Sequence, residues 1–179
     1  LDENVTIVKE VVDYAHRNNV SVEAELGTLG STGIGGEETE GSEEGSGTDG
    51  YTDPEVAQKF VKETNIDALA ASFGTAHGVY ITEPVLDIPC LEKIYDLAGI
   101  PVGMHGGSGL SDEEYEQTIR AGVRKINYYS YAALAGGKAV KETMEKEIHP
   151  FYHDLTIVAR QAMKEDMKRV MKLFYKCQL

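Results

Sequence analysis

Two histidines, His77 and His105, each close an apolar run and open into glycine. The first run is Leu69-Ala70-Ala71-Ser72-Phe73-Gly74-Thr75-Ala76-His77-Gly78. The second is Ile100-Pro101-Val102-Gly103-Met104-His105-Gly106-Gly107-Ser108-Gly109. A neutral imidazole ligates metals and moves protons near neutral pH. The two histidines lie 28 residues apart, about the length of one strand–helix–strand unit. If both runs are neighbouring parallel strands, both imidazoles project from one end of one sheet, where α/β folds place metals and substrates.

Two other predicted strands also end in polar groups, Glu25 and Asn127. Four such residues gathered on one rim suit a zinc site, which in enzymes takes three protein ligands and leaves one position open. Glu25 has a rival in Glu23. Strand alternation puts both on the same face, and a buried carboxylate there needs a partner such as a metal. Glycine directly after each histidine lets a backbone approach a ligand closely. The Gly106-Gly107-Ser108-Gly109 turn could aim several N–H groups at a phosphate, although an ordinary βα turn reads the same way. His16, His149 and His153 fall in or beside helices and read as surface or packing residues.

The elements that must position these groups follow from periodicity. Helical spacing over about 4–18 is followed by a strand at 20–26, then by a polar Gly-, Glu- and Ser-rich stretch over about 27–51. A loop of that length in a compact domain is usually functional or mobile. Thr52-Asp53-Pro54-Glu55 starts a helix that runs to about Thr64. A strand at 67–73, a helix at 88–98 stopped by Gly99, and a strand at 100–104 come next. A capping box at Ser111-Asp112-Glu113-Glu114 opens a helix ending near Gly122, and a strand spans 123–127. Helical patterns fill 132–147 and 155–175. Strands alternating with helices imply an α/β fold with a parallel sheet. Four strands are half of a (β/α)8 barrel with a C-terminal helical extension; a small flavodoxin-like sheet is the competing architecture.

Seventeen basic against 30 acidic residues give a formal net charge of -13, which argues against nucleic-acid partners. Six acids and no base lie between Ser31 and Gly50, a pattern that fits a solvated loop. Cys90 and Cys177 form no C-x-x-C pattern and fit reduced thiols in a cytoplasmic protein. No apolar run has the length of a membrane span.

Taken together, the motifs resemble the class II, metal-dependent ketose-bisphosphate aldolases. The carrying segments are Ser21-Val22-Glu23-Ala24-Glu25-Leu26-Gly27, Gly74-Thr75-Ala76-His77-Gly78-Val79-Tyr80, His105-Gly106-Gly107-Ser108-Gly109 and Lys125-Ile126-Asn127, in matching order and spacing. The resemblance covers essentially the whole chain. It implies the C-terminal half of a (β/α)8 barrel over 1–179: strands five to eight, the acidic loop at about 27–51 and a helical extension from about 150. It also implies Zn2+ on His77 and His105, with Glu25 at a secondary metal position. Gly78, Gly106, Gly107, Ser108 and Ser130 would hold the substrate phosphate, beside a monovalent cation, and Asn127 would contact the dihydroxyacetone-phosphate part.

The implied reaction is retro-aldol cleavage of a ketose 1,6-bisphosphate, foremost fructose 1,6-bisphosphate, to dihydroxyacetone phosphate and glyceraldehyde 3-phosphate. Zinc acts as Lewis acid on the enediolate, and Glu37 or Glu38 of the acidic loop transfers a proton. The family's first zinc-binding His and the Asp before it lie on an earlier strand, and no Asp-His pair occurs in this sequence. The expectation is therefore that the chain starts just after the fourth strand. Alone it would be inactive, and it would pair with the missing N-terminal half in a dimer or tetramer. Tyr129 stands where many relatives carry a small or acidic residue, and Ser130 where they carry Thr. The alternatives are a non-catalytic phosphate- or metal-binding module, and an aldolase for tagatose bisphosphate or another phosphorylated ketose.

Overall fold

The computed structural model describes residues 1–31, 50–147 and 149–176. The chain divides into two units, Leu1–Asn127 and Tyr128–Leu179. In the first, helix α1 (Asp2–Arg17) leads into strand β1 (Glu23–Leu26) and a two-residue strand β2 (Gly30–Ser31). Then come α2 (Pro54–Thr64), β3 (Ala68–Ala71), a two-residue β4 (Ala76–His77), α3 (Ile88–Ala98), β5 (Val102–Met104), α4 (Asp112–Arg120) and β6 (Val123–Ile126).

β1, β3, β5 and β6 form one parallel sheet in that order. Each strand lies beside the next one along the chain. A flavodoxin-like sheet reverses direction at a switch point; this one does not, so the barrel reading holds and the competing architecture falls. β2 and β4 make a separate parallel pair, with Gly30 opposite Ala76 and Ser31 opposite His77. This pair is a correction to the predicted strand at 67–73. That strand ends at Ala71, and His77 sits in the second, smaller sheet rather than at the end of a main strand. Two residues are too few to leave an alternation in the sequence.

The register sorts side chains by face. Leu69, Val102 and Val123 line up across three strands, each at most 1% exposed. Phe60, Leu91, Ile94 and Tyr115, from α2, α3 and α4, are likewise fully buried. Each such apolar side chain contributes roughly 1.5–3 kcal/mol through removal from water. Helices α1 to α4 pack in succession, each on the next. Local signals end them as the sequence indicates. Asp53 and Asp87 cap α2 and α3 with Pro in the first turn, Gly99 stops α3 at φ +68°, and Ser111 and Glu114 close a reciprocal capping box.

Between Val102/Val123 and Gly103/Lys125 the pairing slips by one residue. Arg124 is the extra residue of this bulge. Its guanidinium lies over the Tyr95 ring, 5.1 Å from the centroid, and donates to the Ile119 and Val123 carbonyls. Regular alternation would send Val123 and Lys125 to the same face. The bulge separates them, keeping Val123 in the core and aligning Lys125 with Gly103 on the opposite face.

The second unit holds α5 (Ser130–Lys146) and α6 (Tyr152–Lys176), packed on each other. Both begin a few residues before the predicted starts, at 132 and 155. Gly136 permits the close approach, since a Cβ there would lie 3.0 Å from Met163 Cγ. Tyr128 donates to Asp166 Oδ2 at 2.6 Å. Burial, together with that hydrogen bond and the Asp166 charge, raises the Tyr128 phenol to about 12.

Candidate active site

The site gathers side chains of β1 with the residues that directly follow β5 and β6. Glu23 and Glu25 lie on β1, His105 directly follows β5, and Asn127 directly follows β6. His77 reaches the same place from β4. Its ring centroid is 5.9 Å from that of His105, with the planes tilted by 43°. The structure thus brings together the two histidines that the sequence singled out, by a route the sequence did not reveal.

The carboxylate in closest contact with His105 is Glu23. Glu23 Oε1 lies 3.1 Å from His105 Nε2 and accepts from Lys125 Nζ at 2.7 Å. Glu25 Oε2 sits 3.6 Å from the other ring nitrogen, beyond ordinary hydrogen-bonding distance. Periodicity places both glutamates on this face, but it cannot choose between them. Their reach can. Glu23 spans from β1 to β6 because the residues beneath it are small: a Cβ on Gly103 would lie 2.8 Å from Glu23 Oε2. Burial raises the Glu23 pKa, but hydrogen bonds and positive charge from Lys125 and His105 outweigh it, and the net shift is downward. Lys125 belongs to the Lys-Ile-Asn motif, yet only the β6 bulge shows that it serves this face.

The loops around the histidines are close-fitted. Gly106 has φ +63°, and a Cβ on it would meet the Ala76 carbonyl oxygen at 2.4 Å, so the two histidine-bearing backbones touch. Gly78 is buried at φ +100°, and Ser108 is 4% exposed. A Cβ on Gly107 would press on Ile126 and Met104. Hydroxyl groups tie the segments together. Thr52 Oγ1 donates to the Leu26 carbonyl and accepts from Ser72 N–H, which joins the ends of β1 and β3. Tyr115 donates to the Gly107 carbonyl. Tyr80 accepts from Ala76 N–H and donates to the Gly106 carbonyl.

The start of α4 is not itself an anion site. Ser111 already accepts from Glu114 N–H, and Asp112, Glu113 and Glu114 fill the first turn. Any phosphate near this loop would have to use Gly106–Ser108 rather than the helix end. Ser130 opens α5 in the second unit, and Tyr129 beside it is 72% exposed. Glu37 and Glu38 lie outside the described residues.

Imidazole and carboxylate suit zinc by donor type. By number they fall short: among the described residues, no three His, Cys, Asp or Glu side chains are arranged to hold one metal ion. His77 and His105 supply two donors, and Glu23 is engaged by Lys125.

A family model for class II fructose-bisphosphate aldolase matches residues 1–178. The chain belongs to the class II fructose-bisphosphate aldolase family. YdjI of Escherichia coli K12 is 37% identical to it over 173 residues, which is 97% of this chain and 58% of YdjI. The crystal structure of the YdjI aldolase matches with a TM-score of 0.77 at 35% identity, covering 97% of this chain and 56% of that one. A fructose-bisphosphate aldolase of Geobacillus stearothermophilus is 43% identical over 146 residues, 82% of this chain and 48% of that protein. The chain therefore spans about half the length of the aldolase-family relatives it matches, and its four consecutive strands are half of an eight-stranded barrel. No helix among the described residues is long and apolar enough to cross a membrane.

Proposed function

We propose that this chain is the carboxyl-terminal half of a class II aldolase site that cleaves a ketose 1,6-bisphosphate, foremost fructose 1,6-bisphosphate, to dihydroxyacetone phosphate and glyceraldehyde 3-phosphate. The observation that carries the reading is the approach of His77 and His105 at one rim of a parallel sheet, in a chain of this family. His77 and His105 would hold a divalent zinc ion, with the third imidazole coming from the other half of the barrel. When bound, the metal supplies a Lewis acid for the carbonyl and hydroxyl oxygens of the substrate.

The chain's own residues divide the remaining work. Glu23 orients His105 through Nε2, as a carboxylate behind a ligating imidazole does, and Lys125 holds Glu23 in place. Glu25 stands by as a secondary metal position. Gly78, Gly106, Gly107 and Ser108 bind the phosphate of the substrate next to a monovalent cation, and Asn127 contacts the dihydroxyacetone-phosphate portion. Glu37 or Glu38 transfers the proton. A second copy of the protein would cover exposed apolar side chains of α6, among them Ile157, Met171 and Tyr175.

Alone, the 179 residues have little or no aldolase activity, because two imidazoles leave a catalytic zinc one donor short and the sequence contains no Asp-His pair. The test is to assay cleavage of fructose and tagatose bisphosphates by the chain alone, and by the chain combined with an aldolase N-terminal half that carries a strand-end Asp-His. Activity that appears only on mixing and disappears with chelator is the expected result. Strong, chelator-resistant activity of the chain alone would sink the half-site reading. Tight zinc binding without activity on mixing would favour a non-catalytic metal-binding module.

A further inference from the structure

We propose that Tyr80 is a positioning residue whose hydroxyl sets the spacing of His77 and His105, an inference that rests on the reading of those two histidines as one donor pair. The two lie on different segments, His77 at the end of β4 and His105 directly after β5, and no main-sheet ladder joins β4 to β5. Something else must fix their separation. The Tyr80 oxygen accepts from Ala76 N–H at 3.0 Å and donates to the Gly106 carbonyl at 2.8 Å. Ala76 is the residue before His77, and Gly106 is the residue after His105. One oxygen atom is therefore hydrogen-bonded to a sequence neighbour of each histidine.

The surroundings make this bridge tight. Gly106 adopts φ +63°, and a Cβ there would fall 2.4 Å from Ala76 O, so nothing larger than hydrogen fits between the loops. Contact alone resists compression but does not resist separation. The Tyr80 hydroxyl supplies a restraint against separation, because it binds a donor on one segment and an acceptor on the other. A loose donor pair costs metal affinity, since the ligands must then be ordered when the ion binds. Glu23 orients only His105; Tyr80 acts on both rings at once.

The variant Tyr80→Phe keeps the ring and removes both hydrogen bonds. In the metal-free protein, Y80F should lose protection of the Ala76 amide against hydrogen exchange and weaken the ring-to-ring nuclear Overhauser effect between His77 and His105. Zinc affinity, read by competition with a chelating dye, should fall about 10–100-fold while the thermal midpoint moves little. Unchanged affinity together with an unchanged inter-ring signal would overturn the proposal. So would a fall in melting temperature with no loss of zinc affinity, which marks a merely structural tyrosine. If the wild-type protein binds no zinc, the metal reading fails, and the metal-free inter-ring signal still decides the role of Tyr80. Should Y80F not fold, the wild-type protein gives the answer: a slowly exchanging Tyr80 hydroxyl proton with Overhauser contacts to the Ala76 amide and Gly106 supports the bridge, and its absence refutes it.

Discussion

At the amino ends of β1 and β3, His16 Nε2 lies 2.9 Å from Asp67. At the carboxyl end of β5, His105 Nε2 lies 3.1 Å from Glu23, which opens β1. The two pairs have the same chemistry and nearly the same distance, and their neighbours separate them. Asp67 also accepts from Val22 N–H at 2.7 Å, and Val22 O accepts from Asp67 N–H at 2.9 Å. His16 sits in the last turn of α1, where a helix end favours positive charge. Every group in that cluster closes the chain on itself. Around His105 stand a second imidazole, a lysine, and glycines that let neighbouring segments pack against the ring's loop. A histidine–carboxylate pair is thus no sign of function by itself. The groups gathered around it make the distinction.

The comparison breaks most directly at the histidines. His105→Ala should weaken zinc binding by at least ~100-fold, because losing a ligand costs no less than losing its support; His16→Ala should leave affinity unchanged. Equal effects in a competition titration would erase the contrast. Glu23→Gln comes next, with about 10–100-fold weaker zinc binding and little change in melting temperature.

Asp67→Asn should do the reverse, lowering the melting temperature without touching zinc affinity. The pH dependence follows from the direction of its shift. The hydrogen bonds from His16 and from Val22 N–H, opposed by some burial, pull the Asp67 carboxyl below the usual range. A depressed folded value means stabilisation that is present above the ordinary carboxylate pKa and lost as pH falls through the folded one. The gap in melting temperature between wild type and D67N should therefore be open near neutrality and close on acidification. A gap that widens in acid would contradict the assignment. The smallest effect belongs to Ser111→Ala, which should cost about 1 kcal/mol of stability. Because it lies just after the glycine loop yet serves only the α4 cap, it should leave zinc affinity intact, as urea unfolding beside a metal titration would show.

Much of this was legible in the sequence. Helix α3 runs over the residues that periodicity and Gly99 indicate, and the four main strands fall within their predicted spans. Apolar patterning and turn chemistry are local, so one chain reports them. What stayed hidden was tertiary. Alternation puts Glu23 and Glu25 on one face and is silent on which reaches His105. The Arg124 bulge that turns Lys125 toward Glu23 breaks the very periodicity such a reading depends on. Tyr80 sits in a short polar–apolar loop like many tyrosines, and only the fold shows that its hydroxyl meets Gly106, 26 residues away.

The consecutive order β1-β3-β5-β6 also has a kinetic side. Each main strand finds its partner one strand–helix step further along the chain, so no loop closure need bridge the whole sequence. The entropic cost of closing loops is met in similar instalments rather than in one long search. Such a sheet can grow by accretion: a first β–α–β pair serves as template, the next strand docks on its free edge, and each addition is a small step of the same kind.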